Sequence, residues 1–307
     1  LVSAAFLIGG LAFLLWLDFQ QLGGARPGIV LLPLAFVAAT LGVAELRRML
    51  ATRGVAPHGL ETYLAVWVTL ATASLPLLGD GGRQLADRCG PLGPAPLALA
   101  AAVILLFAGE MARYREPGGV TVRIANGMLA AVYLGILPGY LIALRGHRDN
   151  AWGLMALLSM IVVVKLSDLG AYFAGRLFGR HPLARLLSPK KTIEGSVGGI
   201  AASVLGAVLM GLYFLPWIVP DRSASDSAGA SIGAPAGAAW RWALYGAALA
   251  IAGMTGDLAE SLIKRDMGQK DAGRILPGMG GVLDVLDSLL FGAPVATVFW
   301  TSGFLEG

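Results

Sequence analysis

The chain has 307 residues, 56% of them hydrophobic and 14% charged; a soluble domain carries roughly a quarter charged residues. With a mean hydropathy of +0.72, this excludes a soluble globular protein and points to a polytopic membrane protein. The single Cys89 excludes a disulfide framework and a cysteine zinc site, the scattered His58, His147 and His181 argue against a His-rich metal centre, and the net charge of +4 mainly reflects basic residues that set topology.

A membrane span needs about 20 mostly apolar residues. Nine segments qualify, near 1–17, 28–46, 60–78, 94–110, 120–144, 151–174, 193–219, 237–255 and 282–303. The predicted fold is therefore all-α, a polytopic bundle of about nine transmembrane helices. The chain starts at Leu1 rather than Met, and the opening run lacks a small-residue cleavage site. It is expected to be a first or trimmed span, with an N-terminal piece missing, and not a signal peptide. Small residues suit close helix packing in lipid; Gly195 and Gly199 make one small-xxx-small pair at the start of the seventh span.

Lys and Arg set the orientation. With the N-terminus cytoplasmic, fifteen basic residues fall on the cytoplasmic side and seven on the other, leaving Lys165 inside a span. Loops 175–192 and 256–281 are then both expected at the cytoplasmic face, and the expected location is the cell membrane. Residues 1–150 are read as N-terminal transmembrane scaffold, with lateral access for a lipid. Residues 151–307 are read as the catalytic region. Segment 221–239, DRSASDSAGASIGAPAGAA, has too little apolar bulk to pack and reads as a flexible extracytoplasmic linker.

The sixth span carries Lys165 and Asp168 at i, i+3. A charged pair at that depth is a functional candidate, with mutual neutralisation as the bland alternative. Next comes Gly175–Gly199, in which Ser188-Pro189 reads as N-cap and first residue of the seventh span. On that reading Lys190 and Lys191 sit at a positive helix end, which is unfavourable unless an anion such as phosphate shares the site. Glu194 follows one turn later. The lysines could equally be positive-inside anchors.

The segment Asp257–Asp287 concentrates charge in an apolar chain: five Asp, one Glu, two Lys and two Arg. If the eighth span continues as a helix, Asp257, Ser261 and Lys264 share one face and Glu260 adjoins it. Asp284 and Asp287 lie one turn apart at the start of the ninth span, where two carboxylates need cations, donors or protons to persist. The helix dipole accounts for Asp284 alone. All-oxygen ligands favour Mg²⁺ or a similar hard ion. Between them run Lys264, Arg265, Lys270, Asp271 and Arg274, then Pro277-Gly278-Met279-Gly280-Gly281. These supply countercharge and glycine backbone N–H groups for an anion. Carboxylates for a metal and bases for phosphates at a bilayer surface suit metal-assisted phosphoryl or nucleotidyl transfer to a lipid. No aromatic-interleaved basic stripe suggests nucleic acid.

These residues resemble the signature of the phosphatidate cytidylyltransferase (CDP-diacylglycerol synthase) family, S-x-[apolar]-K-R-x4-K-D-x-[small]-x2-[apolar]-P-x-H-G-G-x-x-D-R-x-D. Ser261, Lys264, Arg265, Lys270, Asp271, Gly273, Pro277, Gly280, Gly281, Asp284 and Asp287 are in register. Gly256-Asp257 and Glu260-Ser261 match upstream. So does an earlier block: Asp168, Gly170-Ala171-Tyr172-Phe173, Gly175-Arg176, Phe178-Gly179, Ser188-Pro189-Lys190-Lys191-Thr192, Glu194-Gly195 and Gly198-Gly199. The strong resemblance covers about 150–295. Two positions depart from it: the family histidine is Met279, and the arginine of the final pair is Val285.

The resemblance implies transfer of CMP from CTP to phosphatidate, giving CDP-diacylglycerol and pyrophosphate in phospholipid biosynthesis. It implies a Mg²⁺-dependent nucleotidyltransferase, with a second ion in reserve, embedded in the bilayer; a homodimer is one possible assembly, which the sequence does not determine. Catalytic roles fall to Asp257, Lys264, Asp284 and Asp287, with Asp257, Asp284 and Asp287 holding the metal. Asp168, Lys190, Lys191, Glu194, Ser261, Arg265, Lys270, Asp271, Gly280 and Gly281 would bind substrate phosphates. The alternatives are a weakened paralogue that binds lipid or nucleotide, suggested by Met279 and Val285, and a secondary transporter, suggested by Lys165 and Asp168.

Overall fold

A computed structural model describes residues 2–21, 26–89, 93–218, 239–273 and 280–305, with side chains from residue 9 onward. Most of linker 221–239 lies outside the described residues, as do Arg274, Pro277 and Met279. The fold is all-α apart from one two-stranded hairpin. Among the described residues eight helical runs are long and apolar enough to cross a membrane: Ile29–Ala51, Gly59–Leu78, Pro94–Arg113, Val120–Arg145, Asn150–Phe178, Ile193–Ile218, Ala239–Asp266 and Val282–Thr301. They coincide with the second to ninth predicted spans. The opening run is also helical, α1 (Val2–Phe19). The protein is thus a multi-pass membrane protein.

The chain forms two compact units. Unit 1 comprises Leu1–Gly146 with Leu262–Leu286, and unit 2 comprises His147–Ser261 with Asp287–Gly307. Unit 1 contains α1, α2 (Leu32–Ala51), α3 (Gly59–Ser74), α4 (Asp80–Arg88), α5 (Pro94–Arg113), α6 (Val120–Ala131) and α7 (Leu137–Arg145). Small side chains let these helices approach: Ala65, Ala102 and Ala131 pack with Leu106 in its core. The turn Val132–Ile136 is wound wider than α-helix, just ahead of Pro138. Proline lacks an N–H and its ring crowds the preceding carbonyls, so the helix spreads there without ending. Several of the charges in these helices are paired. Arg113 donates to Glu61 at 2.6 Å and Arg123 to Glu110 at 2.7 Å. Asp18, fully buried, accepts the backbone N–H groups of Gly28 and Val30 and faces Arg145 Nε at 2.7 Å.

Unit 2 is built on a tight helix pair, α8 (Asn150–Phe178) and α9 (Ile193–Leu209). Asp149 caps α8 by accepting the N–H groups of Ala151 and Trp152. The α9 face toward α8 is nearly bare backbone. A Cβ at Gly199 would come within 2.9 Å of Ser167 O, and one at Gly195 within 2.9 Å of Ala171 O. The predicted Gly195/Gly199 pair is therefore a packing surface. Beyond a widened turn at Met210–Phe214, again just before a proline, lies α10 (Leu215–Ile218). Helices α11 (Ala239–Asp266) and α12 (Val282–Thr301) complete the chain.

The predicted cap at Ser188-Pro189 is incorrect. Residues Pro182–Ala184 (β1) and Ser188–Thr192 (β2) form an antiparallel hairpin. The α9 N-cap is Thr192, whose hydroxyl accepts the Gly195 N–H. Strand pairing takes the backbone of Ser188–Thr192, and Ile193 N–H continues it to His181 O at 2.9 Å. A side-chain cap with a free donor three residues on is left only at Thr192. Lys190 and Lys191 therefore stand on a strand.

Candidate active site

Unit 2 encloses a cavity of about 390 Å³ lined by Asp168, Tyr172, Arg176, Lys190, Lys191 and Asp257, with Thr192, Ser196 and small residues between. Helix α8 supplies Asp168, Tyr172 and Arg176, each one turn on, so they share a face. The hairpin supplies the lysines and α11 supplies Asp257. Lys191 Nζ lies 2.5 Å from Asp257 Oδ2, with the two side chains 25% and 33% exposed. Arg176 donates to the Tyr172 hydroxyl at 2.9 Å. Lys165 pairs with Asp168 at 3.2 Å and donates to Ser288 Oγ. Three basic groups and two carboxylates around one concave space match a polyanion that arrives with its cation.

Behind this cavity Asp287 is 8% exposed, and its Oδ1 accepts its neighbour's N–H, that of Ser288. Gly256 presses on the Asp287 carbonyl, where a Cβ would collide with it. Asp257 follows on α11, close enough for the two negative charges to repel. Asp257 and Asp168 have lysine partners, whereas Asp287 forms no ion pair among the described residues. Adjacent carboxylates of this kind call for a cation, and the all-oxygen donor set fits a hard divalent ion. Within each unit, among the described residues, no three His, Cys, Asp or Glu side chains gather as a metal cluster.

Unit 1 holds Leu262–Leu286 of the signature segment. Lys264 Nζ lies 2.6 Å from Asp284 Oδ1, the side chains being 11% and 15% exposed. Asp284 Oδ2 accepts Gly281 N–H at 2.7 Å and Ala272 N–H at 3.1 Å. Asp284 is the third residue of α12, so this is the reach-back half of a capping box. Arg265, Lys270 and Asp271 are exposed on the same segment, and Gly280 takes φ +90°, a backbone state that suits glycine. Val285, where the family has arginine, is half-buried on α12.

Of the residues proposed from sequence, the cavity gathers Asp168, Lys190, Lys191 and Asp257, with Asp287 behind it. Ser261 shares α11 with Asp257. Glu194 is not in the cavity lining; it accepts the N–H groups of Arg180 and His181 and meets His181 Nδ1 at 2.6 Å. That ties the hairpin to the start of α9. Reasoning from side-chain chemistry missed Arg176 and Tyr172 as lining residues; only their place in the earlier block that resembles the family signalled them. It also missed Glu45, a carboxylate buried in α2.

An all-α membrane protein whose cavity presents three basic groups beside two carboxylates is suited to anionic groups at a bilayer. The comparisons with known proteins narrow this. Residues 1–302 match the model of the cytidylyltransferase family, and the chain belongs to that family. It is 30% identical over 283 residues to the phosphatidate cytidylyltransferase of Synechocystis sp., covering 84% of each chain. It is 30% identical over 288 residues to that of Staphylococcus haemolyticus, covering 94% of this chain and 95% of the relative. With the Staphylococcus aureus protein of the same name the match is 35% over 173 residues, 56% of each chain.

Proposed function

We propose that this protein is an enzyme that transfers CMP from CTP to phosphatidate, forming CDP-diacylglycerol and pyrophosphate. The observation that carries the reading is the unit 2 cavity, which brings Arg176, Lys190 and Lys191 to Asp168 and Asp257 in a chain of this family. Neither a transporter nor a weakened paralogue is favoured beside it.

An oxygen of the lipid phosphate attacks the α-phosphorus of CTP in line. The new P–O bond forms as the bond to the β-phosphate oxygen breaks, and both electrons leave with pyrophosphate. The lipid phosphate is already ionised near neutral pH, so no strong general base is needed, and Met279 in place of histidine is tolerable on that ground. Asp257 and Asp287 are the residues that would hold Mg²⁺, which would neutralise charge on the triphosphate and the departing pyrophosphate. Asp284 carries the same assignment from the signature alone. Lys190, Lys191 and Arg176 bind phosphate oxygens, and Arg176 is held for this by Tyr172. Lys191 rests on Asp257, a carboxylate that would hold the cation when one is bound. Lys264, Arg265 and Lys270 supply further countercharge. The diacyl tails stay in lipid. The Lys and Arg distribution supports a cytoplasmic side for loops 175–192 and 256–281 in the cell membrane, and a homodimer is the proposed assembly.

The test is the full chain in lipid–detergent micelles with Mg²⁺, labelled CTP and phosphatidate. The expected product is labelled CDP-diacylglycerol with equimolar pyrophosphate, lost on chelation. No labelled lipid from folded protein sinks the proposal. The same assay on Met279→His and Val285→Arg shows what the two departures cost.

A further inference from the structure

The glycines of the signature segment invite reading as a cradle for substrate phosphate, yet an anion from the protein itself occupies that position. Glu45 is 0% exposed on α2, more than 200 residues away in sequence. Its Oε1 accepts Val282 N–H at 3.0 Å and its Oε2 accepts Leu283 N–H at 3.0 Å. These are the first two residues of α12, whose N–H groups have no partner within the helix. Asp284 takes Gly281 N–H, so two carboxylates satisfy three consecutive donors at this helix start. The positive end of the helix dipole favours both. Gly273 and Gly281 are where Glu45 reaches in: a Cβ would lie 2.5 Å from its Oε1 at Gly273 and 2.6 Å at Gly281. Neither glycine has a positive φ, so what demands glycine there is room for this carboxylate.

We propose that Glu45 is a positioning residue for the transfer reaction, a remote carboxylate that fixes the start of α12 and with it the Lys264–Asp284 pair. The proposal rests on the functional reading above. Glu45 acts through the first turn of α12, where it holds the backbone that carries Asp284. An apolar residue there would leave two buried donors unsatisfied. A glutamine would turn an NH₂ toward one backbone N–H. An aspartate, one methylene shorter, would reach only one of the two.

The experiment uses the full chain in micelles with Glu45→Ala, Glu45→Gln, Glu45→Asp and Gly281→Ala, and the Glu45→Ala/Gly281→Ala double variant. In Glu45→Ala, amide exchange at Val282 and Leu283 accelerates about tenfold or more, and kcat falls about tenfold to a hundredfold, as expected for misplaced reacting groups. The KM for CTP stays within about threefold, because the cavity cations are untouched. Glu45→Asp recovers part of kcat. Gly281→Ala alone lowers kcat about tenfold or more, and adding it to Glu45→Ala costs nothing further, since the group it collides with is gone. Unchanged kcat in folded Glu45→Ala overturns the proposal, as does full additivity of the two substitutions. If Glu45→Ala does not fold, Glu45→Gln carries the same exchange and kinetic tests. If the wild type makes no product, the functional reading fails, and unchanged exchange at the two amides then separately overturns the contact.

Discussion

Replacing Lys191 by methionine separates two jobs that the cavity gives it. Lys191 Nζ and Asp257 Oδ2 are 2.5 Å apart. Coulomb's law gives about 2 kcal/mol for such a pair in water and about 6–7 kcal/mol at an effective permittivity of about 20. Both groups are a quarter to a third exposed, so solvent screening and the cost of dehydration leave about 1–2 kcal/mol. A divalent ion that takes Asp257 must displace the ammonium. Lys191→Met therefore lowers the concentration of Mn²⁺ needed to half-fill the site about five- to thirtyfold. The same substitution removes a phosphate ligand, so the KM for CTP rises about tenfold. Direct Mn²⁺ binding without nucleotide reads the first effect, and initial rates at saturating metal read the second. The opposite signs make the test strict: a purely structural defect weakens both. Unchanged or weaker Mn²⁺ binding in folded Lys191→Met refutes the exchange of ammonium for cation at Asp257. An unchanged KM refutes the phosphate role.

Asp284→Asn and Asp287→Asn should differ in their effect on stability. The first strips Lys264 of its carboxylate and weakens a cap, costing about 1–3 kcal/mol. The second relieves repulsion from Asp257 and leaves the melting temperature the same or higher. Both abolish Mg²⁺-dependent transfer, so melting curves beside activity check the contrast, and equal destabilisation counts against it. Gly170→Val puts a side chain against Ala202 and within 2.8 Å of Gly198 O; overpacking of that kind costs about 1–3 kcal/mol and lowers the melting temperature in detergent. Asp18→Asn leaves the Arg145 guanidinium, 1% exposed, facing a neutral amide, and should cost about 3–5 kcal/mol with little change in KM for CTP. A surface-like loss below about 1 kcal/mol would contradict it.

The spans were legible because lipid imposes one rule: some twenty apolar residues in a helix that satisfies its own backbone. The helical register of Asp257, Ser261 and Lys264 followed from the same rule, once α11 was taken to run past its apolar part to Asp266. The hairpin was not legible. Ser188-Pro189 and Thr192 both offer an N-cap before the same apolar run, and local preference cannot rank them. The decision comes from contacts with residues about ten to fourteen positions earlier, Ile193 N–H to His181 O and Glu194 to His181 and Arg180. Arg176 looked like one more cytoplasmic anchor until its turn of α8 met the hairpin. Glu45 lay beyond reach for a different reason: its partners are backbone N–H groups, which every residue but proline carries, so no side-chain pattern announces them.

Glu45 also bears on where the nucleotide's phosphates are held. A helix start with glycine before it ordinarily offers free N–H groups and a positive dipole to a phosphate. At α12 those groups are spent: Gly281, Val282 and Leu283 donate to Asp284 and Glu45 at 2.7, 3.0 and 3.0 Å. A phosphate placed there would meet two carboxylates and no free donor among the three. The start of α9 offers little more, since Thr192 takes the Gly195 N–H and Glu194 brings its own negative charge. On the proposed reading the triphosphate is left to side-chain cations, which the unit 2 cavity offers as Arg176, Lys190 and Lys191. In this chain Gly273 and Gly281 make room for the protein's own Glu45, and the proposed reading leaves substrate phosphate to the lysines of the separate strand.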